Sequence, residues 1–109
     1  MGRILICEPD PEVRALLRRV VERGGHEAVL EPDGLRDLAA IVLEPSDVVS
    51  VEMAQAARAN DPDLPILCAS IEPPTPGSRR LAPVAHIVKP FTLSEFERAL
   101  EAALPPSPR

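Results

Sequence analysis

Tryptophan and tyrosine are absent from this 109-residue sequence, and phenylalanine occurs only at Phe91 and Phe96. Any core is therefore aliphatic, drawn from the Leu, Val, Ile and Ala within the 45% hydrophobic residues. No apolar run approaches the ~20 residues that span a bilayer. The N-terminus also lacks an apolar stretch leading to a small-residue cleavage site, so a cytoplasmic setting is expected. An excess of positive charge is missing too. The formal net charge is −5 and the arginines are scattered among acids, which argues against a phosphate-neutralising face for nucleic acid. Cysteine is scarce: Cys7 and Cys68 each lie in an apolar, strand-like run, and buried thiols are expected there in place of a disulfide or metal pair. Both histidines, His26 and His86, stand alone, so no nucleophile–base pair or metal cluster is visible and no enzyme is expected. The turn Cys-Glu-Pro-Asp-Pro-Glu after the first apolar run contains no glycine. The phosphate-cradling Gly-x-Gly-x-x-Gly pattern is therefore lacking, and the turn's acids would repel a nucleotide.

Proline, by contrast, is plentiful, with 14 residues, eight of them clustered at 8–11, 72–76 and 105–108, where they punctuate elements without interrupting them. Residues 3 to 7 read as a strand buried on both faces. Asp10-Pro11-Glu12 starts a helix with an N-cap, a proline at the first helical position and an acid in the first turn. Val13, Leu16, Leu17, Val20 and Val21 give that helix one apolar face, and Gly24-Gly25 ends it. A second strand is expected at 27–31, a short helix at Asp33–Leu38, and a third strand at Ala39–Leu43. A helix at Val48–Asn60 and a fourth strand at Pro65–Ala69 follow. The proline cluster at 72–77 forbids a regular helix, leaving at most one turn around Ser78–Leu81. A fifth strand is expected at Ala85–Val88. Thr92-Leu93-Ser94-Glu95 is a capping box opening a last helix that buries Leu93, Phe96, Leu100 and Ala103.

Strands alternating with helices imply right-handed crossovers and an α/β, doubly wound, five-stranded parallel sheet. Ligand sites in such sheets gather at the carboxyl ends of the strands. Function is therefore sought at Glu8 to Asp10, Glu44 to Asp47, Ser70 and Lys89.

At those places the sequence resembles the CheY-like receiver domain of bacterial response regulators. Ile-Leu-Ile-Cys-Glu-Pro-Asp-Pro-Glu-Val-Arg (4–14) is similar to that family's first strand, acidic turn and first helix. Asp61-Pro62-Asp63-Leu64-Pro65-Ile66 matches its approach to strand four. Ser70 falls where the family has Ser or Thr, and Lys89-Pro90-Phe91 matches its Lys-Pro-Phe signature. The resemblance covers residues 1–104 as one receiver-like domain, with the fourth helix short or missing and 105–109 a proline-rich tail. It implies strand order 2-1-3-4-5 (flavodoxin-like) and a cis Lys89–Pro90 bond. It also implies a site where an Asp ending strand three accepts a phosphoryl group, carboxylates hold Mg²⁺, and the Ser or Thr and the Lys contact the phosphoryl group.

The departures fall at that site. The acidic pair is Glu8-Pro9, and Pro9 offers no side-chain ligand. Aligning strand ends puts Glu44 at the acceptor position, whereas counting back from Asp61 puts Val42 there. Asp47 is a third candidate, although it requires Pro45 inside a central strand. Glu is one methylene longer than Asp, a displacement of roughly an ångström that can cost ~10²-fold in rate. Phosphorylation is therefore not expected, no cofactor is expected, and Mg²⁺ binding should be weak or lost.

The leading expectation is a pseudo-receiver acting by protein–protein interaction in a two-component or phosphorelay pathway. Alternatives are a working receiver with Glu44 or Asp47 as an unorthodox acceptor, or a small-ligand-binding doubly wound domain. Glu44 either mimics a phosphorylated Asp or is a solvated strand-end residue. Lys89 is expected to pair with Glu44 or Glu8, Ser70 to have a simple turn role without a partner, and Asp10 to cap its helix. His86 is read as an ordinary edge-strand histidine, with a pH-sensitive contact as the other reading. The resemblance implies partner binding through the last helix–strand–helix face. With the fourth helix reduced, the first and last helices are equal candidates, and a monomer or weak homodimer is expected, with no membrane or nucleic-acid partner. About five residues follow the last helix, so no output domain is expected on this chain.

Overall fold

In the computed structural model, which describes residues 2–30 and 35–104, strands and helices alternate along the chain. The order is β1 (Arg3–Cys7), α1 (Pro11–Arg23), β2 (Glu27–Val29), β3 (Leu38–Leu43), α2 (Val48–Asn60), β4 (Ile66–Ser70), α3 (Pro76–Arg79), β5 (Ala85–Val88) and α4 (Leu93–Ala103). The five strands form one sheet in the order β2-β1-β3-β4-β5, and every pairing is parallel.

Alternation along each strand sends successive side chains to opposite faces, and each face has its own aliphatic core. Ile4, Ile6, Val42, Leu67 and Ala69 pack under α1 and α4 with Phe96 and Leu100. Leu5, Cys7, Ile41, Leu43, Ile66 and Cys68 pack on the other side with Ala54, Ala57 and Leu81. The two phenylalanines lie together at one end, ring centroids 5.9 Å apart.

The helix starts follow their local chemistry. Asp10 Oδ1 accepts from the Glu12 and Val13 amides at 2.9 and 3.3 Å, with Pro11 at the first helical position. Thr92 and Glu95 form the capping box of α4. The connection between β4 and β5 holds only the four residues of α3, opened by a second capping box of Thr75 and Ser78. This is the reduced fourth helix expected from the prolines.

Three expectations need correction. The second strand ends at Val29, two residues early. The short helix expected at Asp33–Leu38 falls partly outside the described residues; in the part described, Leu35 and Arg36 are not helical and Leu38 opens β3. The physical reason is visible: Asp37 has φ 58, a left-handed conformation that breaks a right-handed helix, and Leu38 pairs with Arg3. The helical turn expected at Ser78–Leu81 lies two residues earlier, where Pro76 and Thr75 can start it. The tail 105–109 lies outside the described residues. No described helix is long and apolar enough to cross a membrane.

Candidate functional site

The register across the sheet decides which residue stands opposite Glu8. Cys7 pairs with Leu43 and Leu43 with Cys68, so Glu8 and Glu44 are the next residues out of adjacent central strands. The Glu44 amide donates to the Cys7 carbonyl at 3.1 Å. Val42, the other candidate for that position, is 1% exposed inside β3, whereas Glu44 is the first residue past its end.

Both carboxylates are buried, Glu8 5% and Glu44 4% exposed, and neither can stay charged there without compensation. The cation comes from the far edge of the sheet. Lys89, the only lysine in the sequence, follows β5, and its amide donates to the Ser70 carbonyl at 2.7 Å. Its Nζ donates to Glu8 Oε1 at 2.6 Å and lies 3.5 Å from Glu44 Oε2. The Lys89–Pro90 bond is cis, as the resemblance implied.

Further hydrogen bonds reach both acids. Glu8 Oε2 accepts from the Asp10 amide at 3.1 Å. Glu44 Oε1 accepts from Ser70 Oγ at 3.0 Å and from Ser46 Oγ. Glu44 Oε2 accepts no hydrogen bond among the described residues; the Lys89 ammonium lies 3.5 Å from it. The expectation that Ser70 has only a turn role is therefore wrong. Ser70 Oγ does accept from the Glu72 amide at 3.1 Å, but its own proton goes to Glu44. A hydroxyl has one donor and spare acceptor capacity, and both are used here.

The remaining candidates lie around this cluster. Pro9 is exposed and presents no oxygen to it. Asp10 caps α1 as expected. Asp47 caps α2: its Oδ2 accepts from the Ser50 amide at 3.1 Å and from Ser50 Oγ at 2.6 Å. His86 lies on the edge strand β5, with Nε2 2.9 Å from the Glu72 carbonyl. Cys7 and Cys68 are free thiols, separated in the register by Leu43. Burial, with the nearby Asp47 charge adding, pushes the Cys7 thiol up to about 12. Burial, reinforced by Glu44, pushes Cys68 up to about 11. Both are neutral packing groups at ordinary pH. Ser46 was not singled out from the sequence. Its signal was its place in the tight turn that the Asp47 amide closes onto the Glu44 carbonyl at 3.1 Å.

No family model matches the chain. The transcriptional regulatory protein RprY of Bacteroides fragilis (strain YCH46) is 27% identical over 115 residues, covering 94% of this chain and 49% of its own length. The chain thus spans about half the length of that curated relative. Among solved structures, Vibrio cholerae chemotaxis protein CheY4 aligns with TM-score 0.77 at 18% identity, over 95% of this chain and 99% of its own. The non-phosphorylated HemR receiver domain of Leptospira biflexa aligns with TM-score 0.76 at 21% identity, over 100% and 99%. The strand order and these likenesses show that the chain has the fold of the CheY-like receiver domains, and its sequence is similar to that of a transcriptional regulatory protein.

Proposed function

We propose that this receiver-like domain acts without accepting a phosphoryl group, by binding another protein, with Glu44 as a built-in anion. The observation that carries the reading is the coordination of the Glu44 carboxylate by Ser70 Oγ at 3.0 Å, Ser46 Oγ, and the Lys89 ammonium at 3.5 Å. Ser70 and Lys89 are the positions that contact the phosphoryl group in the receivers this chain resembles. Here Ser70 donates to Glu44, and Lys89 donates to Glu8 while its ammonium lies 3.5 Å from Glu44. The Glu44 carboxylate, one methylene longer than that of an Asp, thus takes the place beside Ser70 and Lys89 that a phosphoryl group would take, and an active-like arrangement needs no kinase.

The donor set does not fit Mg²⁺. That ion takes hard oxygens in near-octahedral geometry and dehydrates reluctantly. Pro9 supplies none, and the space between Glu8 and Glu44 is bridged by an ammonium. Binding no tighter than millimolar is proposed, with no resident cofactor. Asp47 is a poor acceptor because its carboxylate is engaged with Ser50 at the start of α2.

The setting proposed is the cytoplasm, where thiols such as Cys7 and Cys68 stay reduced, and the state a monomer or weak homodimer without nucleic-acid or membrane partners. The test is exposure of the purified protein to acetyl phosphate and Mg²⁺, read by intact mass. The expected result is an unmodified protein. A mass gain that hydroxylamine removes would replace this reading with that of a phosphoryl-accepting switch.

A further inference from the structure

The chain between β4 and β5 spends its helical content on the four residues of α3, so no long helix lies beside α2 there. What remains is a groove of about 540 Å³, with Val51, Ala59 and Leu81 on its apolar side and Gln55, Arg58 and Arg80 on its polar side. Val48, three residues before Val51 on the same helical stripe, is an exposed apolar residue at 69%. The walls are fastened. Arg58 Nε donates to the Leu64 carbonyl at 2.8 Å and Nη1 to the Leu81 carbonyl at 2.7 Å, which ties α2 to the segment after α3.

The groove's charge runs against that of the whole chain. The protein carries a net −5, yet no Asp or Glu lines this groove. Among the described residues, Arg58, Arg79 and Arg80 take part in none of the ion pairs. The two guanidinium groups that line the groove, Arg58 and Arg80, select for negative charge flanking an apolar ridge. The stretch of α2 from Val48 to Ala59 is about 17 Å long at 1.5 Å per residue, room for three turns of a docked helix. Helix-in-groove recognition reads apolar anchors at i, i+3 or i+4, and i+7.

We propose that the groove between α2 and α3 docks an acidic amphipathic helix of a partner protein. This rests on the partner-binding reading above and names the partner's chemistry. Because Pro45 borders the groove and follows Glu44 directly, a docked helix would lie against the turn that holds the Glu44 carboxylate. A second copy of this acidic chain is the less favoured occupant, since its overall charge repels.

The test uses the whole chain, ¹⁵N-labelled, titrated with a synthetic helical peptide carrying Leu at i, i+3 and i+7 with Glu between. A second peptide has Lys in place of Glu. The Glu peptide should shift Val48, Gln55, Gly77 and Arg80 saturably, and the Lys peptide should not. The variant Arg79→Glu/Arg80→Glu, at two exposed positions, should weaken the Glu peptide by roughly tenfold and acquire binding of the Lys peptide. Val48→Asp should also weaken the Glu peptide. No saturable shift, equal binding of the two peptides, shifts centred on β5 or α4, or self-association through the groove would each overturn the proposal. Acetyl phosphate treatment of the same sample separates the two claims. A mass gain there would overturn phosphorylation independence and leave the groove standing, whereas peptide binding elsewhere would do the reverse.

Discussion

Lys89 Nζ stands 2.6 Å from Glu8 Oε1, joining the loop after β5 to the end of β1 across two intervening strands. The Lys89 side chain is 17% exposed and that of Glu8 2%, so the pair lies in a region of low dielectric where an unmatched charge is costly. Lys89→Met leaves two buried carboxylates facing each other. It should lower stability by about 3–5 kcal/mol, measured by urea unfolding. Adding Glu8→Gln should recover part of that loss, because one of the stranded charges is then removed. A Lys89→Met protein as stable as wild type would mean that the cluster is solvated and unimportant.

Asp47 separates a structural role from a chemical one. As N-cap of α2 it satisfies the Ser50 amide, so Asp47→Ala should cost about 1 kcal/mol. Its behaviour towards acetyl phosphate should not change. Loss of a phosphorylated species in this variant would instead identify Asp47 as an acceptor.

Much of this arrangement was legible in the sequence, and the failures have physical causes. The central strands β1, β3 and β4 announced themselves as short apolar runs, and both helix-opening signals at Asp10 and Thr92 depend on bonds within a few residues. The pairing of Lys89 with Glu8 was also accessible, since parallel strand order brings their ends to one rim. Ser70 was misjudged because its partner, Glu44, is 26 residues away and belongs to another strand. Ser46 was missed because a serine after a proline looks like any turn residue until the carboxylate beside it is known to be buried. The helix expected at Asp33–Leu38 failed where a left-handed Asp37 and the pairing of Leu38 with β1 overrode local propensity. Nor does the clamp made by Arg58 leave a trace in the sequence, since it bonds only backbone carbonyls.

The clamp makes its own prediction. Arg58 carries charged hydrogen bonds to Leu64 and Leu81, each worth about 1.5–3 kcal/mol. Arg58→Met should raise amide exchange in residues 76–82 well before it affects β1 or β3. Uniform loss of protection across the sheet would show that the segment is held by its apolar contacts alone.

The two thiols predict an alkaline loss of stability. Folding raises Cys7 to about 12 and Cys68 to about 11 from an ordinary 9.0. Above pH 9 the unfolded chain releases these protons while the native state keeps them, so stability falls as pH rises. It is unaffected by them below pH 9. Each thiol contributes a slope of about 1.4 kcal/mol per pH unit within that window. Cys7→Ala/Cys68→Ala should flatten the unfolding curve between pH 9 and 11, and the native thiols should resist iodoacetamide at pH 8. Rapid labelling of both at that pH would contradict their burial.

Phosphate incorporation compared across three forms of the protein bears hardest on the role given to Glu44. Wild type, Glu44→Asp, and Pro9→Asp combined with Glu44→Asp would each be treated with acetyl phosphate and Mg²⁺ and weighed intact. Wild type and Glu44→Asp should remain unmodified, because the missing carboxylate at position 9 still denies the metal its ligands. The double variant, which supplies both the shorter arm and the second acid, should take up a phosphoryl group that hydroxylamine releases. Phosphate on the wild-type chain would contradict the reading of Glu44 as a permanent substitute for that group.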